Sequence, residues 1–115
     1  KGLEGGTDLS ISRACITKHR HDSQAKRIIL HPNHYECSGT DLPWKDLIQW
    51  HDEAMAALEN KGSLKQALRW NAGVYLWFSG ICTSLEEGLT KAENLMAEGI
   101  AKNTLNQLID WRAQI

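Results

Sequence analysis

The chain has 115 residues, with 13 Lys and Arg against 14 Asp and Glu, a formal net charge of −1 and 42% hydrophobic residues. These values describe one soluble globular domain and argue against disordered, collagen-like and coiled-coil classes. The near-neutral balance also argues against a strongly basic nucleic-acid grip or a polybasic membrane anchor. The longest weakly polar run, Ala72 to Cys82, falls well short of the ~20 residues that cross a bilayer, so no membrane partner is expected. Three cysteines without paired spacing fit a reduced, cytoplasmic compartment. No positively charged leader opens the chain. Its first residue is Lys1 and not Met, which reads either as a processed product or as the tail of a longer protein.

Two short segments rich in β-branched residues come first, Arg13 to Lys18 and Lys26 to His31. The polar stretch His19 to Gln24 between them predicts an antiparallel hairpin with a long loop. Pro32 then stops the second strand, because proline brings no ladder donor. A first helix is predicted from about Pro43 to Asn60, capped by Asp41 and ended by Lys61-Gly62. Ser63-Leu64-Lys65-Gln66 has the form of a capping box, in which cap and third residue satisfy each other's free donors. The helix behind it is apolar nearly all round in its second half (Val74, Leu76, Trp77, Phe78), which predicts burial on most sides up to a stop at Gly80. Ser84-Leu85-Glu86-Glu87 predicts a third capped helix with a stripe of Leu85, Leu89, Ala92, Leu95 and Met96, closed by Gly99. A fourth runs from about Lys102 to Arg112. A lone hairpin is marginal in water, and the apolar helix calls for more neighbours than three amphipathic helices supply. The expectation is therefore a segment that completes a larger domain.

Several groups of residues carry candidate chemistry. The loop Gly2 to Asp8 combines glycines, which permit close ligand approach, with Glu4 and Asp8, which are suitable partial ligands for Mg²⁺. A tight turn with solvated acids is the plainer reading. It lacks the Gly-x-x-x-x-Gly-Lys-Ser/Thr form of a nucleotide-phosphate loop. His19-x-His21 and His31-x-x-His34-x-x-Cys37 admit a zinc reading, weakened by the lack of a second cysteine near Cys37. A thiol nucleophile at Cys37 or Cys15 has no visible orienting group. Trp70 and Trp77 stand two turns apart on one helix face and read as core residues ahead of a stacking surface. Asn71, a lone amide among apolar neighbours, must be hydrogen-bonded if buried, and is expected to tie its helix to a nearby loop or strand.

The segment Asn71-Ala72-Gly73-Val74-Tyr75-Leu76-Trp77-Phe78-Ser79-Gly80 resembles a helix near the end of anthranilate phosphoribosyltransferases. So does the continuation Ser84-Leu85-Glu86-Glu87-Gly88 with Ala92, Gly99, Ala101, Leu105, Leu108 and Ile109. Lys1-Gly2 through Gly6-Thr7-Asp8-Leu9-Ser10 is similar to that family's Gly-rich acidic loop, and Leu30-His31-Pro32 to its Leu-x-Pro after a strand pair. The resemblance spans residues 1–115 and is specific mainly at its two ends. It implies the C-terminal portion of a glycosyltransferase family-three α/β domain, a hairpin followed by about four helices, with a helical N-terminal domain and most of the sheet lying elsewhere.

The activity so implied is transfer of a phosphoribosyl group from 5-phosphoribosyl diphosphate to the anthranilate amine in tryptophan biosynthesis, by a homodimer using Mg²⁺. Asp8, and Glu4 from the same loop, are the metal-binding residues the resemblance suggests. Two positions depart from the family pattern: Leu9 stands where a Glu normally follows the Asp, and Lys1 where many members have His. The form Gly-x-Glu-Gly-Gly-x-Asp is closer to a divergent bacterial branch, some members of which are associated with nucleic acid. A non-catalytic nucleic-acid-binding paralogue is thus the alternative reading, and a free-standing helical interaction module a third.

Overall fold

The computed structural model describes residues 8–21, 24–41 and 43–115, with the backbone alone at residues 20 and 21. The order of elements is β1 (Cys15–His21), β2 (Gln24–Leu30), a 3-10 turn (Pro32–Tyr35), then α1 (Leu47–Leu58), α2 (Lys65–Phe78), α3 (Leu85–Ala97) and α4 (Ile100–Ala113). A hairpin followed by four helices is thus the mixed α/β arrangement that the sequence predicts.

The strands pair antiparallel, from Cys15 opposite Leu30 to His21 opposite Gln24. This ladder corrects the predicted loop, because His19 to His21 belong to β1 and only residues 22 and 23 connect the strands. Polar side chains in a strand are tolerated where one sheet face is open to water. On the covered face, Thr17 and Leu30 are buried. Facing the other way, Ile16 and its cross-strand partner Ile29 remain 52% and 53% exposed. Strand β2 stops at Leu30, and Pro32 opens the 3-10 turn that follows.

Helix α1 starts four residues later than predicted. Asp46 is its cap, with Oδ1 accepting a 2.7 Å bond from the Gln49 amide. Asp41 serves elsewhere: its carboxylate accepts hydrogen bonds from the Ser10 and Ser12 hydroxyls. The helix ends in a left-handed Asn60 (φ 62°). Asn60 N–H donates to Ala57 O and Lys61 N–H to Ala56 O, both at 2.9 Å. This is the double closure that a left-handed residue past a helix end permits.

The capping box predicted at Ser63 does not form. The Ser63 hydroxyl donates instead to Glu53 Oε2 at 2.6 Å, and α2 begins behind Leu64 without a side-chain cap. The all-round burial expected of α2 is likewise confined to one face: Trp70, Gly73 and Val74 are buried, while Tyr75 is half exposed. At α3 the prediction holds, since Ser84 Oγ accepts from Glu87 N at 3.1 Å. The Glu87 carboxylate reaches one residue further back than a capping box requires, to the amide and hydroxyl of Thr83. Gly80 and Gly99 sit at φ 81° and 78°, which fits them as the stops of α2 and α3. Helix α4 begins at Ile100, two residues before the predicted start, and buries no residue completely; the Lys102–Glu59 ion pair ties it to the end of α1.

The core is built around α2. Trp70 and Val74 pack with Leu85 and Leu89 of α3, Leu30 of β2, and Leu9, Ile11 and Cys37 from the connecting segments. Gly73 and Gly88 let the two helices touch backbone to backbone. A Cβ at Gly88 would lie 2.3 Å from the Gly73 carbonyl oxygen, and one at Gly73 would lie 3.0 Å from Leu89 Cα. At Gly88 the obstacle is backbone, so an added methyl there must push the helices apart.

Gly88→Ala is accordingly expected to destabilise the protein by about 1–3 kcal/mol, the usual penalty for overpacking a tight core. Thr90→Ala, on the exposed side of α3, is expected to change it by no more than about 0.5 kcal/mol. Denaturant titration of both variants, followed through the tryptophans, checks the contrast.

Candidate functional site

Asp8 is the first described residue of the Gly-rich acidic segment, and its side chain is exposed. It stands on the rim of a cleft of about 600 Å³ walled by Trp50 and Leu58 of α1 and by Leu64, Leu68 and Asn71 at α2. Only one residue separates exposed from enclosed: Leu9, next in sequence, is 7% exposed and lies in the core. What holds the chain across that boundary is Asn71. Its Oδ1 accepts from the Leu9 amide at 2.7 Å, and its Nδ2 donates to the Leu9 carbonyl at 2.9 Å. The same Nδ2 lies 2.9 Å from the Ala67 carbonyl one turn back on α2. Asn71 thus makes the tie to a neighbouring segment that the sequence predicts of it.

A second set of bonds fixes the following residues. Ser10 and Ser12 hydroxyls both reach the Asp41 carboxylate, at 3.1 and 2.8 Å, and the Gly39 amide donates to the Ile11 carbonyl at 3.2 Å. The Ser10-x-Ser12 spacing was the available sequence signal for this network, but its partner lies 29 residues further on. Asp41 is engaged with these hydroxyls, whereas Asp8 stands exposed on the cleft rim. Glu4, the other proposed metal ligand, lies outside the described residues.

The histidines and cysteines are not gathered. Among the described residues, no group of three or more His, Cys, Asp and Glu side chains is placed to hold a metal ion. His19 stacks on Phe78 with ring centroids 4.5 Å apart and planes 7° from parallel. His31 and His34 face each other at 4.7 Å, while the side chain of His21 lies outside the described set. Cys37 is fully enclosed. Its thiol lies 3.3 Å from the Tyr35 carbonyl, which it faces as donor, and accepts from Arg69 Nη1 at 3.3 Å. Burial pushes the Cys37 thiol above its ordinary value, an effect that the Arg69 guanidinium only partly opposes. A protonated, inaccessible sulfur makes a poor nucleophile. The 3.4 Å approach of Arg69 Nε to Glu93 holds that guanidinium in place. No local pattern discloses the Arg69–Cys37 contact, whose partners lie 32 residues apart.

No family model matches the chain. It is 23% identical over 112 residues to an anthranilate phosphoribosyltransferase of Cupriavidus metallidurans, an alignment covering 94% of this chain and 33% of the relative. To the enzyme of the same name from Laribacter hongkongensis it is 26% identical over 113 residues, 95% of this chain and 33% of that one. The corresponding protein of Xanthomonas axonopodis pv. citri is 23% identical, with 99% of this chain and 34% of the relative aligned. The chain therefore spans about a third of the length of the curated relatives it matches. These similarities suggest a phosphoribosyltransferase-like family. The particular relatives all bear the name anthranilate phosphoribosyltransferase.

The Cys37 geometry fixes a pH dependence. A folded-state pKa raised above the unfolded one adds stability that is complete below the ordinary thiol value of 9.0. That contribution is lost as pH rises from there through the folded value. Melting curves between neutral pH and strongly alkaline pH are expected to fall less steeply for Cys37→Ala than for the parent, and native protein at neutral pH is expected to resist alkylation at Cys37.

Proposed function

We propose that this chain is the C-terminal third of an anthranilate phosphoribosyltransferase-like pentosyltransferase, which moves a phosphoribosyl group from 5-phosphoribosyl diphosphate to an aromatic amine such as anthranilate. The observation that carries the reading is the extent of the similarity, which runs through 94–99% of the chain in the relatives compared. The open face of the hairpin, with Ile16 and Ile29 uncovered, and the exposed Leu47, Ile48, Leu108 and Ile109 of α1 and α4 support a segment that packs against further polypeptide.

Mg²⁺ is the cofactor this reading implies, and the donors present suit it. Mg²⁺ keeps several waters and takes one or two carboxylates together with substrate phosphates, so it does not need a closed protein cage. Asp8, exposed on the cleft rim, would supply one such carboxylate, and Glu4 is the candidate for another. Leu9 offers none, because its side chain belongs to the core. When bound, the ion supplies positive charge that neutralises the departing diphosphate while the sugar carbon becomes cationic. The part of this chain is to present a negative group next to a backbone held at Leu9. A carboxylate that needs no reorganisation as charge develops is more effective than a mobile one.

In the full-length protein, Asp8→Asn is expected to reduce Mg²⁺-dependent turnover by orders of magnitude while leaving the melting temperature nearly unchanged. Steady-state rates across a Mg²⁺ titration test this, and an unaltered rate removes Asp8 from the mechanism. A parent protein that shows no transfer to any aromatic amine, yet binds single-stranded nucleic acid tightly, would favour the non-catalytic alternative.

A further inference from the structure

We infer that Asn71 is a positioning residue, whose two-sided grip on the Leu9 peptide sets where the Asp8 carboxylate stands; this rests on the metal role proposed for Asp8. The geometry is specific. One amide group meets both the N–H and the C=O of a single residue 62 positions away in sequence, at 2.7 and 2.9 Å. Such a pair of bonds holds the two peptide groups that flank the Leu9 Cα, in the way an adjacent strand would.

Its anchor is also firm. Asn71 is rooted on α2 between Trp70 (fully enclosed) and the Gly73 contact with α3, so the helix that carries it is held by the core. The third bond, to the Ala67 carbonyl, orients the side chain so that Oδ1 and Nδ2 are not interchangeable. With Leu9 pinned at its backbone and its side chain in the core, residue 8 is the nearest position where the chain can leave the protein surface. The carboxylate there is one residue removed from a backbone held on both sides of its Cα.

A purely structural clamp and a positioning clamp differ in what they do to metal binding. Asn71→Ser is the informative change. A serine hydroxyl in a helix can keep a bond to the carbonyl one turn back, but it is too short to span the Leu9 peptide. In the full-length protein, amide hydrogen exchange in residues 8–12 is expected to accelerate at least about tenfold in this variant, consistent with the loss of bonds worth about 1.4 kcal/mol or more together. The Mg²⁺ concentration giving half-maximal turnover is expected to rise about tenfold, with turnover largely restored at saturating Mg²⁺. Direct Mn²⁺ binding, read by electron paramagnetic resonance in the presence of diphosphate, is expected to weaken in parallel. In the Asp8→Asn background the added Asn71→Ser change should alter exchange but not metal dependence.

Faster exchange with an unchanged metal response, or unchanged exchange, overturns the inference. So does a metal response that persists undiminished in the Asp8→Asn background. Should Asp8→Asn alone leave metal binding unaltered, the metal role proposed for Asp8 fails and takes the positioning role with it. The exchange data then separate that outcome from an absent clamp. If Asn71→Ser does not fold, Asn71→Asp provides the second arm: it keeps the acceptor for Leu9 N–H while setting a carboxylate against two carbonyls, and the same shifts are expected.

Discussion

The contact on which the rest of the structure depends is the backbone meeting of α2 and α3 at Gly73 and Gly88. Two residues without side chains bring these helices close enough for Leu85 and Leu89 to close over Trp70 and Val74. Burying a large aromatic together with branched aliphatics provides the main driving force for such a fold. Once α2 is fixed in this way, one of its faces becomes a reference surface for everything earlier in the chain. The hairpin rests on it through Leu30 and through His19, which stacks on Phe78, and the segment around Leu9 is tied to it by Asn71.

From that fixed helix follows a gradient of order. Residues nearest α2 carry two or three constraints each, as Leu9 does with its buried side chain and its doubly bonded peptide. Those further away carry fewer. Helix α4, with no buried residue, is joined through its partial contact with α3 and the Lys102–Glu59 pair. Exposed ion pairs contribute little to stability, so α4 depends on its own helical propensity and on the turn at Gly99. The candidate site lies at the boundary of the gradient, where a well-held peptide gives way to an exposed acid. That is a suitable place for a ligand group, because its base is rigid while its tip remains accessible.

Which parts of this were legible in the sequence follows from the range of the interactions. The α3 cap was readable because Ser84 and Glu87 bond within three residues, and the glycine stops were readable because a left-handed backbone is a property of one position. The start of α1 was misread for an equally local reason. Asp41 with Pro43 imitates a helix entrance, although Asp46, a little further along the chain, is the residue whose carboxylate accepts from the Gln49 amide. Asp41 was committed to Ser10 and Ser12, and Ser63 to Glu53; both partners lie too far along the chain for a local pattern to disclose. Asn71 is the instructive exception. Its partner is remote, yet a polar amide among apolar neighbours must find one, and a buried environment made the requirement visible before the partner was. The hairpin loop was overestimated because polarity was read as solvent exposure of the backbone, whereas His19 lies within the ladder on its covered side, stacked on Phe78.

The five tryptophans are distributed unevenly along this gradient. Trp70 is wholly enclosed beside Tyr35, while Trp44, Trp50 and Trp111 are between about half and two-thirds exposed. Their indoles consequently experience two different dielectrics within one chain. Light emission from the enclosed ring follows the integrity of the centre, and emission from the outer three responds to whatever comes to rest on α1, on the segment just before it or on α4, so the molecule carries separate internal gauges for folding and for docking.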